Sequence, residues 1–361
     1  MSEGQKSESE DVGRKISFFE KLLPIWIIMC MALGIFLSIV IPGISESINS
    51  WQVRGISIPI GICLFFMMYP AMLNLQAAEI KKLGKNPKPI IITLVANWII
   101  APIIGITMAI LFLEDEQLIL AIILLTSSPC TAMVLVWGWM AKGNQEQNVI
   151  TTSINTATII ILYIPVIMLL VFIANITLEK NIPLDPVLLL ISLFIFIGAP
   201  LLMGILSKKV LTKTKGEEWF DNKYRPAISK IAIGALLMTL IVLFSLNGQI
   251  LIQRPDLLLM ITIPLLIGFA IVVSINTIIT KLAKLSYREA IIVIIIGSSS
   301  HFEIAIAVAI AMYGVGSIAA LGTTMGLFWE VPIMLSLVYI GIYLNKKGFW
   351  EQSDAETTKK S

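Results

Sequence analysis

Ten separate stretches of this chain stay apolar for about 20 residues or more, the length of helix that crosses hydrocarbon roughly 30 Å thick. They cover residues 22–41, 56–74, 88–112, 118–140, 150–174, 186–206, 227–247, 256–280, 288–312 and 316–344. With 57% hydrophobic and only 14% charged residues in 361, the chain carries far more apolar surface than one soluble core can bury. The expectation is an all-α integral membrane protein of ten transmembrane helices. The first window is longer than a secretory apolar core and has no A-x-A site after it, so it reads as an uncleaved span.

Basic residues fix an orientation, because Lys and Arg are retained on the cytoplasmic side. Of the 26, 23 fall at the two ends and in alternate loops, and only Arg54, Lys180 and Arg254 fall opposite. Both termini are therefore expected in the cytoplasm of a multi-pass plasma-membrane protein. Residues 1–20 read as a disordered tail, 21–206 as a first five-helix repeat, 207–226 as a cytoplasmic linker, 227–345 as a second repeat and 346–361 as a C-terminal tail. Five spans per half make any duplication an inverted one. A net charge of +3, spread over loops, excludes the basic face that nucleic acid requires. The three cysteines form no CxxC pair and no Cys/His metal spacing, and nothing calls for a nucleotide or other cofactor.

Two windows are interrupted. The fourth contains "TSSPCTAMVLVW", with Pro129 and Cys130 about 17 Å along from its start near Leu118 at 1.5 Å per residue. The ninth contains "GSSSHFE", Gly297 to Glu303, at a comparable depth from the other side. A broken helix survives in hydrocarbon only where protein or a wet cavity surrounds it. The hydroxyls of Ser127, Ser128, Thr131, Ser298, Ser299 and Ser300 are placed to satisfy part of the freed backbone. Paired interruptions of this kind, with half-helix ends aimed at a central site, mark secondary transporters. Prolines and serines that merely pack helices are the plainer reading, and the pairing of the two breaks argues against it.

Glu303 is the stronger signal, since an acid within a span is costly and such groups usually line pathways or relay protons. Its plainer alternative is a carboxyl permanently hydrogen-bonded to the serine cluster. Glu330 is a second buried acid with a weaker case. His301, the single histidine, reads as a hydrogen-bonding partner rather than the coupling group. Cys30 and Cys63 read as small buried apolar side chains, whereas Cys130 adjoins a break and is expected to approach Glu303. Asn97 and Asn155 are candidates for lining the cavity.

The segments "SPCTAMVLVWGWMAKGN" and "SSSHFEIAIAVAIAMYG", with "EVPIMLSLV" and "MMYPAML", resemble the arsenical-resistance arsenite efflux permeases of the bile acid/sodium symporter-like superfamily. The resemblance spans windows two to ten. It implies two inverted five-helix repeats with broken, crossing fourth and ninth helices, arranged as a panel and a core. It also implies export of trivalent arsenite in exchange for protons, and so arsenic resistance. The family's essential cysteine falls on Cys130 and its essential glutamate, the proton-coupling group, on Glu303. The chain departs from the pattern at Ser300 and His301, where the family often carries an Asn pair, and at Leu327, where it carries a proline.

Residue chemistry agrees. Trivalent arsenic and antimony are soft, thiol-seeking centres present in neutral water as uncharged hydroxides, so one sulfur captures the metalloid while hydroxyls and a carboxylate bind its OH groups. The partners expected are thus arsenite, protons and the lipid bilayer, with antimonite a candidate second cargo. Two rivals remain open. A sodium-coupled carrier of organic anions would use the same oxygens but has no need of Cys130. A membrane enzyme with Cys130 as nucleophile and His301 as base would lack any oxyanion motif.

Overall fold

The computed structural model describes residues 22–41, 43–53, 56–74, 86–131, 133–253, 255–314 and 316–350. The expected tails at 1–20 and beyond 350, the loop 75–85, Arg54 and Arg254 lie outside them. Helices are α1 (Leu23–Val40), α2 (Ile44–Asn49), α3 (Ile58–Asn74), α4 (Pro87–Phe112), α5 (Glu116–Thr126), α6 (Val134–Met140) and α7 (Gln145–Leu178). They continue as α8 (Pro186–Lys215), α9 (Arg225–Gln253), α10 (Pro255–Leu282), α11 (Tyr287–Ser298), α12 (Phe302–Tyr313) and α13 (Ile318–Lys346). A two-residue antiparallel pairing, Gln52–Val53 with Ile56–Ser57, precedes α3. Six helices, α4, α7, α8, the α9 region, α10 and α13, are long and apolar enough to cross a membrane.

Every expected window holds a helix, except the fourth and ninth, which each hold two half-helices. Local chemistry sets many of the starts. Asp115 and Asp185 accept from the first backbone N–H groups of α5 and α8, and Ser286 and Glu289 form a reciprocal cap on α11. A π turn precedes each of Pro102, Pro200 and Pro226, at Ala96–Ile100, Phe194–Gly198 and Phe220–Tyr224. Proline lacks an N–H and crowds the carbonyl four residues back, and widening the preceding turn relieves that clash while the helix continues.

Packing divides the helices into two groups that cut across the sequence halves. In the first, α9 runs along α1 and α3, and α3 along α8. In the second, α4 and the half-helices pack with α10 and α13, and α7 packs on α4 and on the half-helices α5, α6 and α11. Each window thus shares a group with its counterpart five windows later. Glycine permits close contact within the second group: a Cβ on Gly326 of α13 would lie 2.5 Å from Leu125 of α5, whose side chain would have to shift.

Two polar segments, within 207–226 and just after α13, are themselves structured. Residues 207–226 are almost wholly helical, broken at Gly216 (φ +86°). After α13 the chain folds back, so that Trp350 is buried against Tyr287 and its Nε1 donates to Thr280 Oγ1 at 3.4 Å.

Candidate functional site

The two unwound segments meet. Pro129 and Ser300 pair as an antiparallel bridge, His301 N donates to Ser128 O at 2.7 Å, and Ser128 Oγ lies 3.3 Å from His301 O. The backbone freed by one break is satisfied largely by the backbone freed by the other. The role expected of the hydroxyls is corrected accordingly. Only Ser128 turns back on backbone carbonyls, Leu124 O at 3.1 Å among them, because the strand-like pairing leaves the other hydroxyls pointing away from the backbone they were expected to serve.

Those hydroxyls have other partners. Ser299 and Ser300 each donate to one oxygen of Glu330 on α13, at 2.6 Å, and Ser298 accepts from Asn276 Nδ2 at 3.0 Å. Thr131 Oγ1 meets His301 Nε2 at 3.0 Å. Ser127 Oγ is buried without a hydrogen-bond partner. The serine-bound acid is therefore Glu330, and the plainer alternative considered for Glu303 is wrong. Ser299 and Ser300 reach across to α13, whereas Glu303 sits on the first turn of α12, which starts after them.

Cys130 lies in the first break and is wholly buried, and Glu303 is 2% exposed. Thr131, next to Cys130 in the chain, meets the imidazole of His301, whose Nδ1 approaches Glu303 Oε2 to 2.9 Å. That approach is a charge contact without hydrogen-bond alignment, and neither carboxylate oxygen of Glu303 accepts an aligned hydrogen bond. Which ring nitrogen carries the proton depends on the tautomer. Glu303 is thus a buried acid with its acceptor capacity in reserve, contributed to the same crossing as a buried sulfur. Among the described residues no group of three or more His, Cys, Asp or Glu could hold a metal ion.

The two asparagines part company. Asn97, in the π turn of α4, lines a cavity of about 50 Å³ beside the crossing with Ser128, Pro129 and Ser298 to Ser300, and its Nδ2 has no partner. Asn155, on α7, is fully buried with both side-chain polar atoms unpartnered and is not on that cavity's wall. Cys130 and Glu303 do not line it either. Cys30 and Cys63, on α1 and α3 of the first group, are half-buried rather than buried. Asn276 was missed in the sequence. Its signal was the same as that of Asn97 and Asn155, an amide within an apolar span.

The profile of the Sodium Bile acid symporter family matches residues 61–254. The chain belongs to this family. Among full-length relatives of this symporter-family chain, a protein named "Uncharacterized transporter slr0944" from Synechocystis is 37% identical, covering 95% of this chain and 93% of its own. The Arsenical-resistance protein Acr3 of Alkaliphilus metalliredigens is 33% identical over 94% of this chain and 95% of its own. That of Corynebacterium glutamicum is also 33% identical, over 93% and 92%. A transporter family accounts for what a soluble enzyme would not need, two backbone breaks paired inside an apolar helix assembly.

Proposed function

We propose that this protein exports trivalent arsenite from the cytoplasm in exchange for protons, and so confers arsenic resistance. The observation that carries the reading is the pairing of the two breaks, with Cys130 on one and Glu303 just beyond the other, connected through Thr131 and His301. The arsenical-resistance relatives support the choice of cargo.

Arsenite arrives as an uncharged hydroxide, so no buried cation is needed to hold it. The Cys130 sulfur replaces one hydroxyl on arsenic, the thiol proton and that hydroxyl leaving as water. The remaining As–OH groups donate to the ionised carboxylate of Glu303, whose oxygens have no aligned donor of their own. When the site opens outward, a proton on Glu303 takes its negative charge and weakens its hold on the As–OH groups, and water hydrolyses the As–S bond, regenerating the thiol and returning a hydroxyl to arsenic. The protonated carrier then returns. The two helix groups, each drawing on both inverted halves, supply the natural moving parts, shifting against each other to open the crossing alternately to each side.

Everted vesicles with an acid lumen test the reading. Uptake of arsenite is expected to follow the proton gradient and to vanish in Cys130→Ser and Glu303→Gln. Wild-type uptake in either variant, or uptake that follows sodium and survives Cys130→Ala, would overturn it.

A further inference from the structure

The polar stretch between the two halves has a structure that the transport site does not use. At 1.5 Å per residue, helix α8 rises about 31 Å from Pro186 to Leu206, which is the thickness of the hydrocarbon itself, about 30 Å. Along one face, at a spacing of four residues, it presents Leu202, Leu206 and Val210, which are 52%, 59% and 55% exposed. The same stripe then changes to Lys209 and Lys213, both exposed. The face that meets lipid tails therefore continues directly into cations at the level where tails give way to headgroups.

Beyond Lys215 the chain turns at Gly216 and begins the approach to α9. Lys215 Nζ sits 4.5 Å above the Trp219 ring, and Trp219 stacks on Tyr224 at 5.9 Å. This elbow is anchored. Phe220 is buried with Tyr69 and Leu73 of α3, and the Tyr69 and Tyr224 hydroxyls are 2.8 Å apart. Lys223 is exposed on it, and Arg225 pairs with Asp221 at 3.1 Å. Glu217 and Glu218 are the other acids of the elbow, and both are exposed. The cations are thus displayed by a rigid aromatic shelf at the membrane surface rather than by a free polar linker, and clusters of this kind bind anionic lipid headgroups.

We propose that the elbow joining α8 to α9 is a binding surface for anionic phospholipid, with Lys209, Lys213, Lys215 and Lys223 gripping the headgroup phosphate. Trp219 lies at the same level, as interfacial tryptophans do. A headgroup held there ties the α1, α3, α8 and α9 group to the leaflet, against which the other group moves. Positive charge on a cytoplasmic loop serves topology wherever it lies, but it requires neither a continuous apolar-to-cationic stripe nor a docked aromatic shelf.

The test is native mass spectrometry of the full chain taken from bilayers of phosphatidylcholine and phosphatidylglycerol. Wild type is expected to retain phosphatidylglycerol preferentially, and replacing the four lysines by glutamine should lower that retention about tenfold. Replacing them by arginine should preserve it, as should the matched control in which Lys346, Lys347, Lys359 and Lys360 become glutamine. Millimolar inorganic phosphate should displace nothing. Equal retention in the glutamine variant and wild type, equal loss in the tail control, loss in the arginine variant, or displacement by inorganic phosphate would each overturn the proposal.

Discussion

Glu303 and Glu330 are equally buried, each about 2% exposed, yet they are bonded in opposite ways. Glu330 receives a hydroxyl on each oxygen and staples the second break to α13. Glu303 has one close contact, with the histidine, and no aligned hydrogen bond. A saturated buried acid is a structural part, since removing it strands its donors. An unsaturated one has been left its binding capacity, and in hydrocarbon that is tolerated where the missing partner arrives from outside. The difference separates the acid that builds the crossing from the one to which the proposed function gives the work.

The largest expected effects test that separation directly. Glu303→Gln and Cys130→Ala should both reduce arsenite efflux from cells lacking their own exporter to background, while the melting temperature of the purified proteins holds or rises. A Glu303→Gln protein that melted well below wild type would place that acid beside Glu330 as a structural part. Glu330→Ala should do the reverse, costing about 2 to 6 kcal/mol of stability by stranding two buried hydroxyls at about 1 to 3 kcal/mol each. Glu330→Gln keeps an acceptor and should lose far less. Thermal unfolding in detergent separates the two variants, and equal melting temperatures would show that the serine bonds contribute nothing.

Thr131→Val should have a smaller effect, leaving one nitrogen of His301 without its partner and raising the apparent KM for arsenite by about fivefold, as a loss of about 1 kcal/mol implies. An unchanged KM would remove the histidine from the connection between thiol and acid. Ser127→Ala should have the smallest effect, within about 0.5 kcal/mol of wild type, because its buried hydroxyl has no partner to lose. A large loss there would mean that the hydroxyl meets the cargo.

Much of this architecture was legible before any coordinates. Apolar length sets helix length, a proline or a run of serines ends one, and an acid in a span stands out against its neighbours, so the broken windows and the residues at the crossing could be named from residue type alone. The connection at 207–226 was harder to read, because its lysines and glutamates favour helix and solvent equally, and only Phe220 docking on Tyr69 and Leu73 shows that it folds. Trp350 was likewise hidden, since one tryptophan in a polar tail carries no period to place it.

What the sequence determined by itself is the class of molecule and the depth of its polar groups, because the cost of a charge or a broken helix in hydrocarbon is a local property of each residue. Only the tertiary structure decided which acid the serines would bind and which backbone would heal each break. Ser299 and Ser300 can donate to either carboxylate with equal chemistry. Their choice of Glu330 follows from the packing of α13 on α5, where Gly326 faces Leu125, and that packing is written in no single stretch of the chain.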